Sequence, residues 1–176
     1  MSRSEHVFGY GSLVLAPGGR VCDLLGHERR WGVAMDNTRD LPGYKFFEAP
    51  DGTRPAVFVA FLDVAPLAGA SVNGVCTPVD AGLLARLDER ERNYERVEVT
   101  AQIAEPLGRT WAYVGSPDGR ARFARGREAS TCVVGADYLG LVRDGFRALG
   151  ATEYDRAAAS LDPGALPVRP LRRVDL

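Results

Sequence analysis

The chain has 176 residues, a length typical of one domain with a core large enough to fold alone. Its 22 basic and 23 acidic residues give a formal net charge of −1, so no overall basic charge draws it to nucleic acid or to anionic lipid. With 45% hydrophobic and 26% charged residues, the composition is that of a globular protein and excludes a fibrous or disordered one.

Short strands make up most of the predicted secondary structure. Alternating and apolar segments predict strands at about 6–9, 31–35, 56–63, 73–77, 95–104 and 109–115. No repeat, low-complexity tract or linker divides the chain, so we predict a single domain over residues 1–176.

Two helices are predicted among these strands. The first, near 80–92, follows Thr77-Pro78-Val79-Asp80, where threonine, proline and aspartate are all favourable at a helix start. The second, near 135–149, keeps helical spacing of its apolar residues and is followed by Gly150. From about 161 the sequence is rich in proline and arginine and predicts an extended tail. Strands that outnumber helices without strict alternation predict an α+β fold around an antiparallel or mixed sheet.

A glycine-containing segment near the N-terminus lacks the familiar catalytic and nucleotide-binding patterns. After Gly9 and Gly11, Val14 stands where a dinucleotide fingerprint requires a third glycine, and the chain has no phosphate-binding G-x-x-x-x-G-K loop. Ser12 does not lie in a G-x-S-x-G nucleophile motif. We therefore predict chemistry without a nucleotide cofactor and without a serine nucleophile.

The cysteines and histidines are few and widely spaced. They are Cys22, Cys76, Cys132, His6 and His27. No C-x-x-C pair occurs, so we predict reduced, buried thiols and neither a disulfide framework nor a metal site.

Nothing in the sequence predicts a membrane segment, a nucleic-acid partner or an oligomeric state. The longest apolar run, 56–62, is far shorter than the roughly 20 residues of a membrane helix, and the polar start MSRSEH is not typical of the apolar segment of a signal peptide. The basic stretch 120–127 is interpreted as a solvated hairpin arm rather than a phosphate-binding surface. Lys45 is the only lysine in the chain. We predict a cytoplasmic protein.

Glu91 is placed unusually for a charged residue in the first predicted helix. The apolar stripe of that helix consists of Leu83, Leu84 and Leu87. At 100° per residue, Glu91 lies about 35° from the middle of this stripe, whereas Asp88 lies about 90° away. An inward-facing carboxylate loses hydration, which raises its pKa and suits it to act as a general base.

Two other interpretations of Glu91 are equally open at this stage. The helix can end before Glu91, in which case the projection does not apply. Alternatively, Glu91 can form a surface ion pair with Arg90, Arg92 or Arg96, an interaction that contributes about 0 to 1 kcal/mol.

Two segments together resemble the γ-glutamylcyclotransferase superfamily. VFGYGSLV contains Tyr10-Gly11-Ser12-Leu13, similar to an early Y-G-S-[LN] loop, and LDERERNYERVEV contains Leu87-Asp88-x-x-Glu91, similar to a later L-D-x-x-E segment. The resemblance covers residues 6 to about 150. It implies a small β-barrel with flanking helices, built from a mixed or antiparallel sheet. Arg92 follows the glutamate where many members have glycine.

The resemblance also implies an activity. Members cyclise the γ-glutamyl group of a small molecule, such as glutathione, a γ-glutamyl amino acid or a γ-glutamylamine, to 5-oxoproline and release the amine. No cofactor is expected, because the substrate's own α-amino group is the nucleophile. Glu91 would act as general acid and base. The alternative is a module on the same fold that binds γ-glutamyl groups or carboxylates without turnover.

The implied substrate-binding residues come mainly from the early loop. They are Gly9, Tyr10, Gly11, Ser12 and Leu13. Glycines permit close approach and left-handed backbone angles that direct N–H groups at an anion. Tyr94 and Tyr138 match tyrosines that line the family's pocket, although burial as core residues is the alternative for both.

Overall fold

The structure is a computed structural model that describes residues 5–105 and 107–175. The elements follow in the order β1 (Glu5–Gly9), β2 (Arg20–Asp36), β3 (Lys45–Glu48), β4 (Phe58–Val79), α1 (Ala81–Arg90), β5 (Tyr94–Glu98), β6 (Arg109–Gly115), α2 (Pro117–Glu128), β7 (Cys132–Gly135), α3 (Ala136–Leu149), α4 (Ala151–Leu161), β8 (Val168–Arg169) and β9 (Arg172–Asp175). Single 3-10 turns cover Ser12–Leu15 and Thr100–Gln102.

Seven strands form a mixed sheet in the order β5-β6-β1-β4-β7-β8, with β2 paired to β4. The pairs β1–β6, β4–β7 and β7–β8 are parallel, and the other pairs are antiparallel. The long strands β2 and β4 shift register twice, and such irregularities bend a sheet. The predicted α+β fold with a mixed sheet is confirmed.

Large buried side chains of the sheet and of helix α3 pack in one core cluster. Phe8, Leu24, Leu62 and Phe146, from β1, β2, β4 and α3, are each at most 1% exposed. Because β1 lies in the middle of the sheet and its side chains are held on both faces, the position of its C-terminal end is well defined. This end leads directly into the Tyr10-Gly11-Ser12-Leu13 loop.

Helix α2 is the main correction to the predicted elements. Residues 117–128 form a helix and not a hairpin arm. Ser116 caps it by accepting a hydrogen bond from the backbone N–H of Gly119, and Pro117 occupies its first turn. These start signals were present in the sequence, but the basic composition of the segment concealed them. None of the helices within the described residues is long and apolar enough to cross a membrane.

The C-terminal segment also contributes more structure than an extended tail. Helix α4 was not predicted, and it ends at Leu161, which is fully buried. Beyond it, β8 pairs with β7 and β9 pairs with β3, while Leu166 and Leu171 are buried. The β3–β9 pair forms a separate two-stranded sheet.

The prediction of three reduced thiols is wrong for two of them. Cys22 of β2 and Cys76 of β4 form a disulfide, with their Cα atoms 6.1 Å apart. The antiparallel pairing of β2 and β4 brings them together across 54 residues, which no local pattern reveals. Cys132 is a buried free thiol, and burial raises its pKa to about 11.

Thiol titration of protein unfolded in guanidinium without reductant is expected to find one reactive thiol per chain, from Cys132. Reduction before the titration is expected to increase the count to three. The variant Cys76→Ser provides the control, because it frees Cys22 and should show two thiols without reduction. Three thiols in unreduced wild-type protein would contradict the disulfide.

Candidate active site

The loop after β1 is shaped by the close approach of its backbone to neighbouring groups. A Cβ atom on Gly9 would lie 2.7 Å from the backbone of Leu13, and one on Gly11 would lie 3.1 Å from the hydroxyl oxygen of Tyr138. Neither glycine has a positive φ angle. The expectation of left-handed backbone angles is therefore wrong, and close approach alone explains the preference for glycine here.

Tyr10 anchors the loop from both sides. Its hydroxyl donates a hydrogen bond to the carbonyl oxygen of Tyr113, and its own carbonyl oxygen accepts one from Nε of Arg29 at 2.8 Å. Tyr10 is 6% exposed and Arg29 is 7% exposed. Sequence reasoning missed Arg29, because only the pairing of β2 with β4 places it beneath this loop.

Glu91 lies immediately after helix α1. The helix ends at Arg90, and the backbone N–H of Glu91 donates to the carbonyl oxygen of Leu87. The side chain nevertheless faces inward and is only 15% exposed, with Oε1 3.2 Å from Nε of Arg90. The helix end and the ion pair are thus both present, but neither places the carboxylate on the surface.

Burial raises the pKa of Glu91 above the ordinary value for glutamate. The positive charges of Arg90, Lys45 and Arg173 oppose this rise, in that order of effect. The net direction favours proton uptake at a higher pH than an exposed glutamate allows, which is the behaviour required of a general base.

Tyr94 and Tyr138 both pack in the core and face the cavity. The hydroxyl of Tyr94 donates to the carbonyl oxygen of Leu62 at 2.7 Å. The ring of Tyr138 makes edge contacts with Phe61 and Trp31, at centroid distances of 5.1 and 6.0 Å. Burial raises the pKa of both tyrosines, so they are neutral donors at physiological pH.

Two cavities share lining residues at this position. We name the smaller one, with a volume of about 30 Å³, the inner recess, and the larger one, with a volume of about 220 Å³, the outer cavity. Both are lined by Ser12, Glu91, Tyr94 and Tyr138. Tyr10, Gly11 and Leu13 line the inner recess as well.

All the predicted site residues except Gly9 therefore line one or both of these cavities. Gly9 lies behind the loop, where it allows Leu13 to approach. Within residues 5–105 and 107–175, no group of three histidine, cysteine or acidic side chains is placed to hold a metal ion.

The outer cavity includes residues that the sequence did not indicate as functional. Tyr44 and Lys45 reach it from β3 or the turn before it, and Arg173 reaches it from β9. Burial lowers the pKa of Lys45 to about 8. The sequence marked Lys45 only as the single lysine of the chain, and this did not indicate that it lies at the site.

Comparison of the chain with sequence models of protein families finds a family whose model covers both the loop and the glutamate. The sequence model of the family described as "Gamma-glutamyl cyclotransferase, AIG2-like" matches residues 7–139, from β1 into the first turn of α3. The chain belongs to this family. The match includes both the loop and Glu91. A search of curated proteins found no match to the chain.

Solved structures share the fold of this chain. A structure titled "Gamma-glutamyl cyclotransferase" has a TM-score of 0.54 and 16% identity, over 92% of this chain and 90% of the other. YkqA from Bacillus subtilis has a TM-score of 0.60 and 12% identity, over 94% and 56%. The uncharacterized protein loc79017 from Homo sapiens has a TM-score of 0.53 and 18% identity, over 95% and 93%. Because these identities are between 12% and 18%, the similarity shows a shared fold and nothing more.

Proposed function

We propose that this chain is a γ-glutamylcyclotransferase that converts the γ-glutamyl group of a small molecule to 5-oxoproline and releases the attached amine. One observation carries the proposal: a mostly buried Glu91 carboxylate faces the same cavity as the Tyr10-Gly11-Ser12-Leu13 loop. Membership of the γ-glutamyl cyclotransferase, AIG2-like family supports it. Glutathione, γ-glutamyl amino acids and γ-glutamylamines are the candidate substrates.

The reaction needs no nucleophile from the protein. Glu91 removes a proton from the α-ammonium group of the substrate, and the resulting amine attacks the γ-carbonyl carbon to close a five-membered ring. The new C–N bond forms a tetrahedral intermediate with a negative oxygen. The bond from this carbon to the leaving nitrogen then breaks as Glu91 returns the first proton to that nitrogen. The ring nitrogen loses its second proton, again by way of Glu91, to the departing amine, which leaves as an ammonium group beside the neutral lactam. Holding the substrate in a ring-closing conformation supplies much of the rate acceleration.

The loop is suited to binding the negative oxygens of this substrate. Ser12 and Leu13 begin a 3-10 turn, and the first N–H groups of such a turn have no partner within it. The inner recess, about 30 Å³, has room for a small group such as a carboxylate or the reacting carbonyl oxygen. Tyr94 and Tyr138 line the same recess and leave the Glu91 side chain only 15% exposed.

An assay of 5-oxoproline release tests the proposal directly. Purified protein is incubated with glutathione, a γ-glutamyl amino acid and a γ-glutamylamine, and 5-oxoproline is measured together with the released amine in a one-to-one ratio. Product from at least one substrate is the expected result. Binding without product from any of them would reject the enzyme and favour the module that binds without turnover.

The pH dependence of kcat/KM is expected to show an acid limb above the ordinary pKa of glutamate. Glu91 must be ionised to accept a proton, and burial raises its pKa, so activity is lost on acidification earlier than for an exposed glutamate. Arg90→Met removes the largest opposing effect and should move the limb to a still higher pH. An unmoved limb in Arg90→Met would show that another group controls it.

A further inference from the structure

Lys45 is a mostly buried cation for which the proposed reaction has no role. It lines the outer cavity, with its ammonium nitrogen 4.8 Å from the ring centre of Phe61 and 5.4 Å from that of Tyr44. Throughout residues 5–105 and 107–175, no carboxylate lies within 4 Å of this nitrogen and no oxygen accepts a hydrogen bond from it. Aromatic faces attract a cation, but they do not replace hydrogen-bond acceptors for its three N–H groups.

The two arginines that line the same cavity already have carboxylate partners. Nε of Arg90 lies 3.2 Å from Oε1 of Glu91, and Nη2 of Arg173 lies 2.6 Å from Oδ1 of Asp175. Asp175 is opposite Lys45 in the β3–β9 register, but its carboxylate is engaged by Arg173. Among residues 5–105 and 107–175, Lys45 is thus the cation of this cavity that has an open position for an anion.

The position of Lys45 indicates which part of the substrate it meets. Lys45 and Phe47 lie on one face of β3, and Arg173 lies opposite Phe47 on β9, so this face of the two-stranded sheet forms a wall of the outer cavity. Glu91 lines the same cavity, and its charge affects the pKa of Lys45. A substrate with its scissile bond at Glu91 and its γ-glutamyl group in the recess extends its leaving group along this wall.

We infer that Lys45 selects substrates whose leaving amine carries a carboxylate, such as γ-glutamyl amino acids and peptides, over γ-glutamyl derivatives of uncharged amines. The inference rests on the proposed function, because it assigns the outer cavity to the leaving group. Asp137 also lines this cavity, but its side chain is exposed in the first turn of α3. Water screens its charge, whereas the mostly buried ammonium of Lys45 is screened far less.

Two matched substrates test the inference without any variant. γ-Glutamyl-alanine carries a carboxylate on its leaving group, and γ-glutamyl-alaninamide is its neutral counterpart of nearly equal size. Wild-type protein is expected to favour the acid by about 10- to 100-fold in kcat/KM, the effect of a hydrogen bond between charged groups. Equal kcat/KM values for the two substrates would overturn the inference.

Variants then assign the preference to Lys45. Lys45→Met should reduce the preference for the acid to within about threefold, because the charge-assisted hydrogen bond is lost. Lys45→Arg keeps the charge and should retain part of the preference. The matched control is Arg172→Met, which removes a neighbouring cation of β9 that pairs with Glu48 and does not line the outer cavity. It should keep the wild-type preference, and a loss there equal to that in Lys45→Met would refute the assignment.

A binding measurement separates failure of this inference from failure of the proposed function. Titration calorimetry compares the affinities of Glu91→Gln protein for the acid and for the amide, so no turnover is required. Absence of 5-oxoproline from every substrate would reject the proposed function, while tighter binding of the acid would still support Lys45 as the selecting group. Equal affinities would reject the role of Lys45 even if 5-oxoproline forms.

Discussion

Replacing Glu91 by glutamine is expected to lower kcat for 5-oxoproline formation by a factor of about 10² to 10⁴, the usual contribution of a general acid and base. Glutamine preserves the size and most of the hydrogen bonding of the side chain but cannot take up the α-ammonium proton. The affinity for substrate should change much less than kcat. Single-turnover kinetics with a γ-glutamyl substrate measures the chemical step without interference from product release.

Folding of the Glu91→Gln variant is expected to be preserved or improved. The folded state raises the pKa of Glu91, so at neutral pH the ionised carboxylate lowers the stability of the folded protein relative to a neutral group. This cost disappears below the unfolded-state pKa and grows as the pH rises through the raised folded-state pKa. The free energy of unfolding at pH 7 should therefore be equal to or higher than that of wild type.

Glu89→Gln is the matched control, because Glu89 lies two residues earlier in α1 and is exposed. It removes the same charge close to the same helix end and should leave kcat unchanged. Wild-type turnover by Glu91→Gln would exclude Glu91 as the proton-transfer group. An equal loss in both variants would attribute the effect to net charge rather than to the position of Glu91.

Asp63→Ala is expected to reduce the free energy of unfolding by about 2 to 3 kcal/mol, because it leaves a buried backbone N–H without its acceptor, whereas Arg120 is 36% exposed and can be hydrated. The Asp63 side chain is fully buried in β4. It accepts hydrogen bonds from the backbone N–H of Gly115 at 2.7 Å and from Nε of Arg120 at 2.8 Å, joining β4 to β6 and α2. Alanine leaves both donors without their acceptor and leaves a small cavity.

Urea unfolding at equilibrium measures this loss, which is a large fraction of the 5 to 15 kcal/mol typical of a domain. Asp63→Asn keeps an acceptor for Gly115 and should lose less, so it remains measurable if the alanine variant does not fold. The control is Asp144→Ala, which removes an exposed ion pair with Arg147 and should cost about 0 to 1 kcal/mol. Similar losses for Asp63→Ala and Asp144→Ala would show that Asp63 does not join these elements.

Local sequence patterns indicated two central features of the candidate site, the loop after β1 and the direction of the Glu91 side chain. The glycine-containing segment after a short strand predicted a loop, and the leucine spacing before Glu91 predicted its inward direction. The helix in fact ends at Arg90, so the projection was applied one residue too far. It still indicated the correct side, because the C-terminal cap residue continues from the last turn of the helix before the chain turns away.

Other features depended on signals that are weak or shared by several structures. Helix α2 has a serine cap and a proline in its first turn, but its many arginines resemble a solvated arm. The residues after Leu161 resemble a flexible tail, because strands as short as β8 and β9 have no periodicity of their own. Such strands are stable only through the partner strands that they meet in the folded protein.

The sequence by itself determined the α+β class and the loop at Tyr10-Gly11, and it indicated an inward Glu91 as one of several open interpretations, because each depends on residues close together in the chain. Only the tertiary structure decided that Lys45 and Arg173 share a wall with Glu91, and that Cys22 meets Cys76. These groups come from separate strands, and long-range strand pairing, which leaves no local periodicity, brings them together. The charge balance inside the cavity, and hence the substrate preference that we infer, arises from that pairing.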